Sequence, residues 1–110
     1  MRDDQAYLRH IRDAIELIET YTARGRDAFL GEPMVRDAGL RNLEVKGEAV
    51  KNLSTEIRSR RPGVPWQRVS ALRDVLIHEY FGVDLGLVWE IIEHRLPELK
   101  RDIVALLAED

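Results

Sequence analysis

The stretch RDVLIHEY, residues 73–80, sets Arg73, Asp74, His78 and Tyr80 within about two helical turns. Histidine titrates near neutrality and takes a proton from a hydroxyl. An aspartate one turn before it can hold its tautomer and orientation. Arginine stays charged and stabilises the extra negative charge of a phosphate transition state. A base, an orienting carboxylate and a cation suffice for metal-independent RNA cleavage, in which a ribose 2′-hydroxyl attacks the adjacent phosphate. The plainer reading is a surface Asp–His pair with an arginine nearby, and spacing alone favours it, because short motifs match often by chance.

The helix beneath these residues decides which way they face. Trp66, Val69, Leu72 and Leu76 form one apolar stripe, its centre on Val69, Leu72 and Leu76. Asp74 and His78 stand four apart on the side away from it. Arg73 lies between stripe and pair, about 140° from His78 around the axis, with a side chain long enough to swing towards the imidazole. Ile77 falls between Arg73 and the pair, on a face that should be wet. An isoleucine inside such a cluster points to a covering surface, plausible as a second copy of the chain.

The rest of the pattern is helical nearly throughout. Asp3 or Asp4 can cap a first helix carrying Leu8, Ile11, Ile15 and Ile18, which ends near Ala23 to Gly25. One short turn is expected over Asp27 to Leu30. Pro33 suits the first turn of a long helix bearing Leu43, Val50, Leu53 and Ile57. Gly39 and Gly47 inside it, each costing about 1 kcal/mol relative to Ala, suggest close approach of a neighbouring helix. RPGVP, Arg61 to Pro65, is the clearest loop. Gly82 can end the RDVLIHEY helix and Asp84 can cap the next. In the last helix Leu85, Ile92, Leu99 and Leu106 keep a seven-residue register through Pro97, which predicts a kink rather than a break. The expectation is a single all-α domain over residues 1–110, a bundle of about four main helices.

Composition bounds the function. The 110 residues are 45% hydrophobic and 34% charged, with no cysteine, so disulfides and thiolate chemistry are excluded and a cytoplasmic setting is expected. No apolar run approaches the roughly 20 residues of a membrane span, and the polar start MRDDQAYLRH has no signal-peptide core. A net charge of -3 gives no global pull on nucleic acid. Between Ile57 and Arg73, however, Arg58, Arg60, Arg61, Arg68 and Arg73 occur without one acidic residue. A solvated helix end explains that run; a phosphate-facing patch is the sharper reading, with Arg58, Arg60, Arg61 and Arg68 as candidate RNA contacts.

RDVLIHEY resembles the R-x4-6-H signature of HEPN-domain ribonucleases, and its trailing tyrosine resembles that of HepT-like toxins. RNLEVKGEAVKNLS (Arg41 to Ser54), VPW before the third helix, and FGVDLGLVWEII (Phe81 to Ile92) follow the same group in the same order. The resemblance implies a HEPN-type bundle forming a homodimer, with both motifs lining one cleft. It implies Arg73 and His78 as the catalytic pair, with Asp74 at a position often polar in the family and suited to orienting. It further implies a toxin of a toxin–antitoxin pair, whose minimal nucleotidyltransferase antitoxin (MntA-like) adenylylates Tyr80 and silences the RNase. No cofactor and no metal are expected. The competing reading is a non-catalytic helical module that binds a nucleotidyltransferase or a nucleotide through the same polar face.

Other residues take ordinary roles at this stage. His10 and His94 read as surface histidines with no metal-ligand spacing between them. Trp66 and Trp89 read as packing anchors. Glu44 and Glu48, with Lys46 and Lys51 nearby, read as a solvated face.

Overall fold

A computed structural model describes residues 3–78 and 82–109. It is all-helical among those residues: α1 (Asp4–Tyr21), α2 (Arg26–Gly31), α3 (Pro33–Lys51), α4 (Thr55–Ser59), α5 (Trp66–His78), α6 (Leu85–Glu90) and α7 (Leu96–Ala108). A π-helical turn, Ile91–Arg95, joins α6 to α7. The four main helices are therefore α1, α3, α5 and the composite α6–π–α7.

Asp3 is the cap of α1, its carboxylate accepting from the Ala6 N–H at 3.0 Å. Asp4 does something else: its two oxygens accept from the Ser54 N–H (2.9 Å) and the Ser54 hydroxyl (2.6 Å). The Ser54 hydroxyl also caps α4 by accepting from the Ile57 N–H. These contacts correct the expectation of one long helix reaching Ile57. The chain leaves α3 at Lys51, turns, and restarts at Thr55, because Ser54 offers the next helix a cap and α1 holds that cap in place. Leu53 and Ile57 remain in the core across the break.

Around Pro97 the helix is not interrupted. The proline occupies the first turn of α7, where a missing N–H costs little, and the wider π turn before it takes up the distortion. Asp84 caps α6 by accepting from the Leu87 N–H at 3.1 Å. The C-terminal end of α5 lies outside the described residues.

In the bundle α3 is central. It packs on α1 and α5, with α2 against its first half, while α7 packs on α1. The core joins Leu8, Ile11, Ile15 and Ile18 of α1 to Leu40, Leu43 and Val50 of α3 and to Leu96, Leu99, Ile103 and Leu106 of α7. Trp89 stacks at a tilt on Phe29, ring centres 5.6 Å apart. Both internal glycines of α3 are contact points. A Cβ on Gly39 would stand 3.2 Å from the Phe29 ring, and one on Gly47 only 2.6 Å from Arg73 Cβ. Gly47 thus seats α5, and the place where it does so is Arg73.

α5 is the least covered of the long helices. Trp66 and Leu76 are buried, but Val69 and Leu72 are only partly so, and Val75 and Ile77 are each 43% exposed. The stripe is real, yet it sits at the margin of the bundle.

Candidate functional site

Arg73 is held from two sides. Its Nε lies 2.9 Å from Glu48 Oε2 on α3, and its Nη1 donates to Asp74 Oδ1 at 3.1 Å. Lys51 Nζ stands 3.9 Å from the same Asp74 oxygen. The result is a row of alternating charge, Glu48–Arg73–Asp74–Lys51, along the α3/α5 seam. Each of these side chains is at least a quarter exposed, so the row is partly screened and its value is orientation more than stability. Arg73 is fixed with its stem against Gly47 and its guanidinium at the surface.

His78 is one turn beyond Asp74 and exposed. Asp74 turns to Arg73 and Lys51; among the described residues no hydrogen bond joins it to His78. Tyr80, the residue marked by the resemblance for modification, lies outside the described residues.

Beside Arg73 a groove of about 330 Å³ runs between α1, α3 and α5. Tyr7 and His10 form one wall, Glu44 and Glu48 another, with Arg73 and Ile77 across from them. The surface positions read from the sequence for Glu48 and His10 hold, but nothing in it joined either residue to Arg73. No local signal could have done so, since Glu48 and Arg73 are 25 positions apart (73 minus 48) and meet only through helix packing. Lys46 was misread. It is not on a solvated face but 2% exposed, on the inward stripe with Leu43 and Val50, and burial lowers its ammonium to a pKa of about 8.

The arginine-rich segment divides. Arg60 pairs with Glu56 (3.1 Å) and Glu109 (3.8 Å), and Arg61 pairs with Glu109 (3.0 Å). Arg58 and Arg68 instead border a separate cavity at the start of α5. Trp66 is buried, as a packing anchor should be, with its indole N–H donating to the Arg58 and Arg61 carbonyls. His94 is at the surface beside Glu93. Among the described residues, no group of three or more His, Cys, Asp or Glu side chains is placed to hold a metal ion, and no helix is long and apolar enough to cross a membrane.

Residues 11–106 match the family model described as "Ribonuclease HepT-like". The chain is 43% identical over 98% of its length to the "Gamma-glutamylcyclotransferase and putative RNase MJ0434" of Methanocaldococcus jannaschii, spanning 49% of that protein. It is 40% identical over its whole length to the "Putative RNase TTE0752" of Caldanaerobacter subterraneus subsp. tengcongensis, spanning 99% of it. It is 39% identical over 90% of its length to the "Probable ribonuclease HepT" of Thermococcus cleftensis, spanning 91% of it. The chain thus covers about half of the first of these relatives and nearly all of the other two. No solved structure matches it.

Proposed function

The chain belongs to the HepT-like ribonuclease family, and from that premise we propose that it is a cytoplasmic, metal-independent endoribonuclease acting as the toxin of a toxin–antitoxin pair. The observation that carries the reading is Arg73, held at the surface by Glu48 and Asp74 and one turn and a half before an exposed His78. His78 takes the proton of a ribose 2′-hydroxyl as its oxygen bonds to the adjacent phosphorus. Arg73 exchanges a carboxylate for the phosphate oxygens and offsets the charge that grows on them. The bond from phosphorus to the 5′-oxygen breaks, and an imidazolium returns a proton to that leaving oxygen. Asp74, freed when phosphate engages Arg73, orients His78.

The reading includes a homodimer that brings two such motifs into one cleft. Its support is Ile77, 43% exposed, and Val45, 37% exposed, apolar side chains in the groove that Arg73 also lines. A cognate nucleotidyltransferase antitoxin of the MntA type adenylylates Tyr80, adding bulk and negative charge beside the cleft and so excluding RNA.

The deciding experiment compares RNA cleavage in chelator by the wild type, Arg73→Ala and His78→Ala. Both variants should lose cleavage, and equal cleavage by all three sinks the assignment. Intact-mass measurement after co-expression with the nucleotidyltransferase should show added AMP that Tyr80→Phe does not acquire.

A further inference from the structure

The basic segment contains four arginines before α5 has turned once, and the fold uses them differently. Arg60 and Arg61 face carboxylates of Glu56 and Glu109. Arg58 and Arg68 face a cavity of about 520 Å³, completed by Thr55, Ser59, Trp66 and Gln67 and containing no acidic side chain. Arg58 gives one N–H to the Leu53 carbonyl at 3.0 Å, and the Nε atoms of Arg58 and Arg61 alike are buried without a partner among the described residues; Arg58 differs from Arg61 in facing the cavity and no carboxylate. A buried donor without an acceptor is costly, and a charged one more so. Arg68 is exposed and makes no ion pair among the described residues.

The cavity has a fixed wall and a direction. Trp66 is locked by its two indole hydrogen bonds, to the carbonyls of Arg58 and Arg61. α5 begins here with no acidic residue in its first turn, so the partial positive charge of the helix start adds to the arginines. Gln67 precedes Asp74 by seven residues and His78 by eleven, intervals that bring all three onto one stripe of α5. The stripe runs about 16 Å from cavity to imidazole, within reach of a short single strand.

We infer that this cavity is an anion subsite for a backbone phosphate of the RNA strand, a few nucleotides from the one that is cleaved. Arg68 and Arg58 supply its cations, and the Gln67–Asp74–His78 stripe is the track between the two phosphates. The inference rests on the ribonuclease reading and adds the path of the substrate. It also accounts for how an acidic protein would hold RNA: Arg60 and Arg61, though at the surface, are already paired with carboxylates, and Arg58 and Arg68 are left for phosphate.

The test uses the full chain and a short single-stranded RNA with every 2′-hydroxyl methylated, which binds but lacks the nucleophile. Anisotropy titrations between about 50 and 200 mM salt yield affinity and salt slope. Arg68→Ala should weaken binding about fivefold and reduce the slope by about 0.7, the loss of one single-strand phosphate contact. Arg58→Lys, which keeps charge but not the planar fork, should weaken binding at a nearly unchanged slope. Arg101→Ala, an exposed cation on α7, should change neither. Unchanged affinity and slope in Arg68→Ala overturn the subsite, as does an equal loss in Arg101→Ala. Loss of free AMP binding with RNA binding intact also overturns it, making the cavity a nucleotide site instead. Cleavage of unmethylated RNA by the wild type is scored in parallel: its absence indicts the ribonuclease reading, whereas cleavage with unchanged Arg68→Ala binding indicts the subsite alone.

Discussion

Glu48 Oε2 and Arg73 Nε lie 2.9 Å apart across the seam between α3 and α5, one residue beyond the point where Gly47 lets the two helices touch. The pair gives Arg73 a defined direction, and on the proposed mechanism it places a carboxylate where the phosphate would bind. On that mechanism Glu48 is a positioning residue, acting through the guanidinium. Glu48→Ala should lower kcat for RNA cleavage about tenfold while KM stays level or falls, because orientation is lost but a competitor for the cation is gone. A variant whose KM rises with kcat unchanged would show that Glu48 contacts the substrate instead.

Gly47→Ala sets helix propensity against packing. Alanine improves an exposed helix by about 1 kcal/mol, but here its Cβ would stand 2.6 Å from Arg73 Cβ, an atom that cannot swing away. Overpacking of this kind costs about 1–3 kcal/mol, so the net effect should be a loss of stability. Denaturant unfolding should show a lower midpoint, and cleavage should drop further than stability does, since Arg73 is the side chain displaced. A midpoint equal to or above the wild type's would mean that α5 moves off α3 without penalty.

Lys46 links stability to alkaline pH. Its folded pKa of about 8 lies below the ordinary 10.5, because burial penalises the charged form. Between those values the unfolded chain binds more protons than the folded one, so stability contributed by this group rises with pH from about 8 to 10.5. Below pH 8 the penalty is present in full, on the order of 3 kcal/mol. Lys46→Met should stabilise the protein at pH 7 and flatten the rise seen in the wild type between pH 7 and about pH 10. Parallel pH profiles for the two proteins, measured by urea unfolding, would rule this out.

Ile77 tests the dimer. It is 43% exposed on the groove that Arg73 lines, and a charge there would have to be desolvated between two chains. Ile77→Glu should sediment as a monomer with helical content intact and should lose RNA cleavage with the dimer. A monomeric wild type at micromolar concentration, or a fully active monomeric variant, would remove the composite cleft.

Much of this molecule is legible as periodicity. The spacing of Leu8, Ile11, Ile15 and Ile18, the cap at Asp84, and the close approach expected at Gly39 and Gly47 all have their counterparts in the fold. So does the exposed side of α5 on which Asp74 and His78 fall. These features are local: a 3.6-residue repeat, a cap or a missing Cβ needs only its neighbours along the chain. The stop after Lys51 escaped, because Ser54 caps α4 with help from Asp4, fifty residues away.

What the sequence alone determined is therefore the main helices, the apolar stripes they turn inward, and the Arg73–His78 spacing. Only the tertiary structure decided that Glu48 holds Arg73, that Lys46 is inside, and that Arg60 and Arg61 are spent on Glu56 and Glu109 while Arg58 and Arg68 face a cavity. The reason is one of range. Helical pattern follows from bonds and sterics within a few residues, whereas the partner of a charge is whichever group packing brings within a few ångströms, and packing joins residues without regard to their order.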